Sequence, residues 1–188
     1  RMTLLNSWEG VYFSFTEEVL HGMMKRAAEL GIELFVLDDG WFGSRFPRND
    51  ARAGLGDWEV NRAKLPHGID GLAEKAEELG IRFGIWVEPE MVNPQSELFT
   101  NHPDWVIGLP GRENRLERSQ YLLDLGNPEV RGHILGVMRE LLGKHPDIAY
   151  VKWDCNRKIS DPGSAWLDAR HQGNLAIDYV RGYESVLD

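Results

Sequence analysis

Cysteine is almost missing from this chain. Cys155 is the only one in 188 residues, which excludes an internal disulfide and a cysteine-rich metal site. Positive charge is also scarce: 21 Lys and Arg stand against 30 Asp and Glu, for a net charge of -9. A phosphate backbone or an anionic membrane needs basic surface, so neither nucleic acid nor membrane is expected as a partner. No stretch of about 18 consecutive apolar residues is present to span a bilayer. The first residues lack the basic, apolar, small-residue order of a signal peptide, and a cytoplasmic location is the expectation. No Gly-x-Gly-x-x-Gly follows the first apolar run, which speaks against dinucleotide binding. The six histidines are scattered, so no metal is expected. The chain opens abruptly on Arg1-Met2 and stops inside a helical pattern, as a piece of a longer protein would.

What is present is an ordinary globular composition, 42% hydrophobic and 27% charged, sufficient for a core in a single domain over residues 1–188. Apolar runs at 4–8, 32–37, 81–87 and 148–154 read as strands. Each is followed by a helical pattern. Thr16 caps the first helix, with Val19, Leu20, Met23, Ala27 and Leu30 at helical spacing and Gly31 at its end. Ile69, Leu72, Ala76 and Leu79 mark the second helix. Asn127-Pro128 opens the third, with Val130, Ile134, Val137 and Leu141 inside. Leu175, Tyr179, Tyr183 and Val186 mark the fourth.

Four strand-helix units with near-continuous apolar strands predict a parallel sheet covered on both faces. Every strand ends in Trp, Asp or Glu, and chemistry at all the carboxyl ends favours an α/β barrel over an open doubly wound sheet. Four units make half of a (β/α)8 TIM barrel. Its long loops, 40–65 and 89–126, follow strand carboxyl ends and are expected to wall a site. A half-barrel exposes two edge strands and a half-open core, which predicts a homodimer or larger assembly.

The chemistry concentrates in Ile148–Arg157. Strand alternation puts Lys152, Asp154 and Asn156 on one face and Val151, Trp153 and Cys155 on the other. Lys152 beside Asp154 either caps the strand as an ion pair or holds an ionised carboxylate able to attack carbon. Asp38-Asp39 sits at another strand end, where paired carboxylates can bind polyol hydroxyls, hold a metal or share a proton. Trp8, Trp41, Trp86 and Trp153 lie at or near strand ends. An indole there either packs as core or offers a face and an N–H to a sugar. Trp86 shares its face with Glu88 and is the better ligand candidate, whereas Trp153 is expected in the helix layer. Glu88 and Glu90 read as organisers of their loop, and Arg118 taken alone as a surface charge. Cys155 reads as a small buried side chain and a poor nucleophile.

Six stretches together carry a resemblance: Asn6-Ser-Trp-Glu9, Leu37-Asp-Asp-Gly-Trp-Phe42, Gly56-Asp-Trp58, Gly84-Ile-Trp-Val-Glu-Pro-Glu-Met91, Arg118-Ser-Gln-Tyr-Leu-Leu-Asp124 and Val151-Lys-Trp-Asp-Cys-Asn-Arg157. In this order the chain resembles the α-galactosidases of glycoside hydrolase family 36. The resemblance implies hydrolysis of terminal α-galactosyl residues with retention, on α-galactoside oligosaccharides and without a cofactor. It implies that Asp154 is the nucleophile. Asp38, Asp39, Trp86, Arg118 and Lys152 match the family's sugar-binding positions, joined by Trp8 and Asn156. A retaining glycosidase needs a second carboxyl roughly 5 Å from the nucleophile, which the family supplies from later strands than this chain contains. Weak or no activity is therefore expected of the chain alone. Galactosyl transfer, as in raffinose-synthase-like relatives, and a non-catalytic, self-assembling half-barrel that at most binds galactosides are the alternatives.

Overall fold

The computed structural model describes residues 1–188. Strand β1 (Leu4–Asn6) leads through a short helix α1 (Trp8–Val11) into α2 (Glu17–Glu29). Strand β2 (Leu34–Leu37) is followed by α3 (Gly68–Glu78). Strand β3 (Arg82–Val87) runs into an excursion carrying β4 (Met91–Val92), α4 (Glu97–Asn101) and β5 (Tyr121–Leu122), and then α5 (Pro128–Lys144). Strand β6 (Ile148–Trp153) is followed by α6 (Leu175–Leu187).

The main sheet has the order β1-β2-β3-β6, every pair parallel. These are the four expected units in chain order, and the sheet stays open with β1 and β6 at its edges. The inner strand β2 is buried along its whole length, as two-sided cover requires. The same cover does not extend to β6, where Ala149 and Tyr150 are exposed. The principal core joins Leu20, Met24, Phe35, Leu37, Leu72, Phe83 and Ile85 from sheet and helices.

Local signals set the helix ends. The Thr16 hydroxyl accepts from the Val19 amide, and Asn127 accepts from Glu129 with Pro128 at the first helical position. Gly31 (φ 76) and Gly80 (φ 70) take the left-handed conformation just past α2 and α3. The buried stripe of α2 is Leu20, Met24 and Ala27, not the one Val19 and Leu30 suggest: both are exposed. Positions i, i+4 and i+7 share a face at about 100° per residue, and Val19 and Leu30 lie off it.

The long excursion 89–126 is structured rather than merely long. Strands β4 and β5 pair antiparallel, Met91 opposite Leu122, over a second core of Val92, Leu98, Trp105, Leu123, Val130 and Ile134. Asp57 in the other loop accepts the Glu97 and Leu98 amides at 2.9 and 3.0 Å, fastening the two loops together. Helix α6 packs closely here: a Cβ added at Gly182 would stand 2.0 Å from the Leu125 carbonyl oxygen. No helix is long and apolar enough to cross a membrane.

Candidate functional site

Parallel register decides which side chains meet. Trp86 on β3 stands opposite Lys152 on β6, and continuing the Leu37–Ile85 pairing by one residue brings Asp38 into the same row. Side chains in one row of a sheet share a face. The carboxyl ends of the strands and both long loops enclose a cleft of about 350 Å³, with only four hydrophobic residues among its fourteen. Such a lining suits a polar ligand.

All eight residues singled out in the sequence line this cleft: Trp8, Asp38, Asp39, Trp86, Arg118, Lys152, Asp154 and Asn156. Asp38 is buried. Its Oδ2 accepts from the Lys152 ammonium at 2.8 Å and from the Asn6 amide, and its own backbone N–H reaches the Ser7 hydroxyl at 3.0 Å. Asp39 is gripped by Arg48, whose Nε and Nη2 donate to its two oxygens at 2.9 and 2.8 Å. Burial pushes the Asp39 carboxyl above its ordinary value against the pull of that fork.

Asp154 is half-buried. Its backbone N–H donates to the Val87 carbonyl at 2.8 Å, continuing the ladder one residue beyond β6, and the Trp86 indole N–H donates to Oδ2 at 2.9 Å. Burial alone would raise its carboxyl. The Trp86 and Asn156 hydrogen bonds and the Lys152 charge outweigh that and hold it below the ordinary value. Trp86 thus serves the carboxylate by its N–H while its ring stacks parallel to Phe42 at 6.2 Å. Trp8 sits half-buried at the rim, edge-on to Phe13.

Arg118 is exposed over the cleft, with Ser119 beside it. Both have positive φ, 54 and 62, and the Gln120 amide bonds back to the Glu117 carbonyl at 2.9 Å. This is a two-residue turn of the mirror-image type, which normally selects Gly or Asn. Two ordinary residues held there store strain at the cleft edge.

Of the two options open to Trp41 the structure takes the core, and three other placements, Cys155, Arg48 and Lys64, differ from the sequence reading or were missed by it. Trp41 is fully buried, its indole N–H bonded to the Trp86 carbonyl at 2.9 Å, so it is core and not a ligand platform. Cys155 is exposed rather than buried, because β6 lies at the sheet edge and the chain leaves the ladder there. Its thiol is nevertheless pushed up to about 11, by burial of the sulfur and by Glu90, so it remains a poor nucleophile. Arg48 and Lys64 went unnoticed. The Lys64 ammonium donates to the carbonyls of Phe13, Gly40 and Arg48 at 2.8 to 2.9 Å, pinning three segments around the cleft, and burial lowers it to about 8. Arg48 is one of five cations in the loop 40–65, with Arg45, Arg52, Arg62 and Lys64, and nothing in the sequence set it apart from them. No group of three or more His, Cys, Asp or Glu side chains stands close enough to hold a metal ion.

A parallel α/β sheet whose strand ends present carboxylates, a lysine and indoles to one cleft has the form of part of an α/β barrel, seen at the carboxyl ends of its strands. The chain belongs to the melibiase family, whose model matches residues 1–188, and within it to the glycoside hydrolase family 36 α-galactosidases. It is 48% identical to α-galactosidase AgaA of Geobacillus stearothermophilus over all of this chain and 25% of that protein. With α-galactosidase Mel36A of Lactobacillus acidophilus it shares 43%, again over all of this chain and 25% of the relative. The crystal structure of AgaA superposes with a TM-score of 0.96 at 48% identity, covering all of this chain and 26% of that one. An AgaA variant in complex with raffinose gives 0.95 at 47%, with the same coverage. The chain spans about a quarter of the length of the curated relatives it matches.

Proposed function

We propose that this chain supplies the nucleophile and most of the galactose subsite of a retaining α-galactosidase acting on α-galactoside oligosaccharides. One observation carries the reading. Asp154 is held ionised by Trp86 and Lys152, and faces a polar cleft whose other strand ends offer Asp38 and Asp39. An oriented carboxylate of this kind attacks the anomeric carbon to give a glycosyl-enzyme. Asp38 and Asp39 accept sugar hydroxyls. Family membership and an AgaA variant crystallised with raffinose support the same substrate class.

The other carboxyls of the cleft are committed. Asp38 is tied to Lys152 and Asn6, Asp39 to Arg48, and Glu88 to Gln120 and the Asn156 amide. Each is placed to bind or to brace. The family resemblance implies that the acid/base carboxyl comes from a later strand of the protein. The test is intact-mass spectrometry after incubation with a nitrophenyl α-galactoside, whose leaving group needs little protonation, beside Asp154→Ala. A galactosyl adduct absent in the variant supports the reading, and a folded protein that forms no adduct overturns it.

We also infer that the 188-residue chain on its own self-associates. Its open edges β1 and β6 carry exposed Leu4 and Tyr150, and α6 exposes Ile177 and Val180. Sedimentation showing a monomer at micromolar concentration would remove that inference.

A further inference from the structure

Glu88 and Glu90 are almost fully buried, at 1% exposure each, beside the strand that ends in Asp154. Buried carboxylates are costly unless every oxygen finds a donor. Here every oxygen does, and half of the donors belong to the Asp154 segment. Glu88 Oε1 accepts the Asn156 backbone N–H at 3.0 Å, and Oε2 accepts the Gln120 amide at 3.0 Å. Glu90 Oε1 accepts the Trp153 indole N–H at 2.9 Å, and Oε2 accepts the Tyr179 hydroxyl of α6. One carboxylate thus holds the residue before Asp154 and the other holds the residue two positions after it.

Between those two anchors, Asp154 keeps its backbone bond to Val87 and its side-chain bond to Trp86. Val87, Glu88 and Glu90 all belong to the exit of β3. The same few residues of the neighbouring strand therefore fix Asp154 from its own N–H, from its own carboxylate and from both flanks. Fixation matters here because Asp154 lies one residue past the last paired position of β6, Trp153 opposite Val87. We propose that Glu88 and Glu90 are positioning residues for Asp154, two buried carboxylates that clamp Trp153 and Asn156 and so hold the attacking oxygen at its height above the sugar. This rests on the proposed role of Asp154 as nucleophile.

The clamp acts on attack rather than on sugar affinity. Glu90 lies outside the cleft lining, so its loss leaves galactoside binding in place while Asp154 drifts. Misplacement by about 1 Å costs on the order of 10²-fold in rate. Glu90→Gln keeps the size but offers one acceptor to two donors. Trp153→Phe keeps a six-membered ring in place and removes the N–H together with the pyrrole ring, so it carries the test if Glu90→Gln fails to fold. Both are compared with the wild-type chain in adduct formation with a nitrophenyl α-galactoside, followed by intact mass across a concentration series.

The expected result is a saturating rate of adduct formation lowered about 10- to 100-fold with little change in the half-saturating concentration. Glu88→Gln should slow the same step. Variants that melt earlier but, once folded, react at the wild-type rate overturn the inference and leave the glutamates as ordinary braces. Absence of an adduct in the wild type overturns the nucleophile assignment itself, and the clamp falls with it. Wild-type and variant rates thus tell the two failures apart.

Discussion

The ammonium of Lys152 stands 2.8 Å from Oδ2 of Asp38, across 114 positions of sequence and over the intervening strand β3. Lys152 also contributes to holding Asp154 below its ordinary value. One cation therefore serves two carboxylates on opposite sides of the cleft.

Lys152→Met removes that charge from both. The Asp154 carboxyl, now lowered from 3.8, should move back up. A carboxylate whose pKa rises is protonated at higher pH on the way down, so the acid limb of adduct formation shifts upward. A pH series on the adduct rate checks the direction, and an unmoved limb would free Asp154 from Lys152.

The Arg48–Asp39 pair has side chains exposed only 2% and 8%. Removing one partner of a buried pair typically costs about 3–5 kcal/mol, because the other charge is left stranded. Arg48→Ala is expected to lower stability by that order in urea denaturation. Arg48→Lys keeps the charge but not the fork, so it should recover only part of the loss.

Relief of strain is the expectation at Ser119. Glycine accepts φ 62 freely, so Ser119→Gly should stabilise the fold by about 1 kcal/mol. Added freedom in the unfolded chain offsets a fraction of the gain. A melting temperature that falls would mean the serine hydroxyl holds the turn.

His133 on α5 has a buried Nε2 with no hydrogen-bond partner, and burial together with His102 depresses its pKa below 6.5. The unfolded chain takes up this proton first as pH falls. Stability contributed by the neutral ring is therefore complete above 6.5 and lost as pH drops through the folded-state value. His133→Leu should flatten the wild-type decline in that window, measured by urea melts at several pH values.

Much of this architecture was legible in the residues. Gly31 and Gly80 marked helix ends, Asn127-Pro128 a helix start, and alternation in Lys152-Trp153-Asp154 placed Lys152 and Asp154 in the cleft with Trp153 behind it. Local rules sufficed because each signal acts within a few residues. The α2 stripe was misread because Val19 and Leu30 are apolar yet face water, and composition cannot say which of two adjacent stripes meets the sheet. The antiparallel pair β4–β5 escaped because two-residue strands have no periodicity. Arg48 and Lys64 escaped for a different reason. Their partners are Asp39, Asn93 and four backbone carbonyls brought near by folding, and a carbonyl leaves no mark in a sequence.

Asp38, Trp86 and Lys152 form one row across β2, β3 and β6. Neighbouring strands lie about 4.8 Å apart, so β2 and β6 are separated by two such steps, about 10 Å. The backbone hydrogen bonds of β3, not any side chain, set the span between the Asp38 wall and the Asp154 wall. The sheet is in this sense a ruler with a fixed division. Loops 40–65 and 89–126 can change what is gripped at its ends, but the gauge of the cleft stays with the strands.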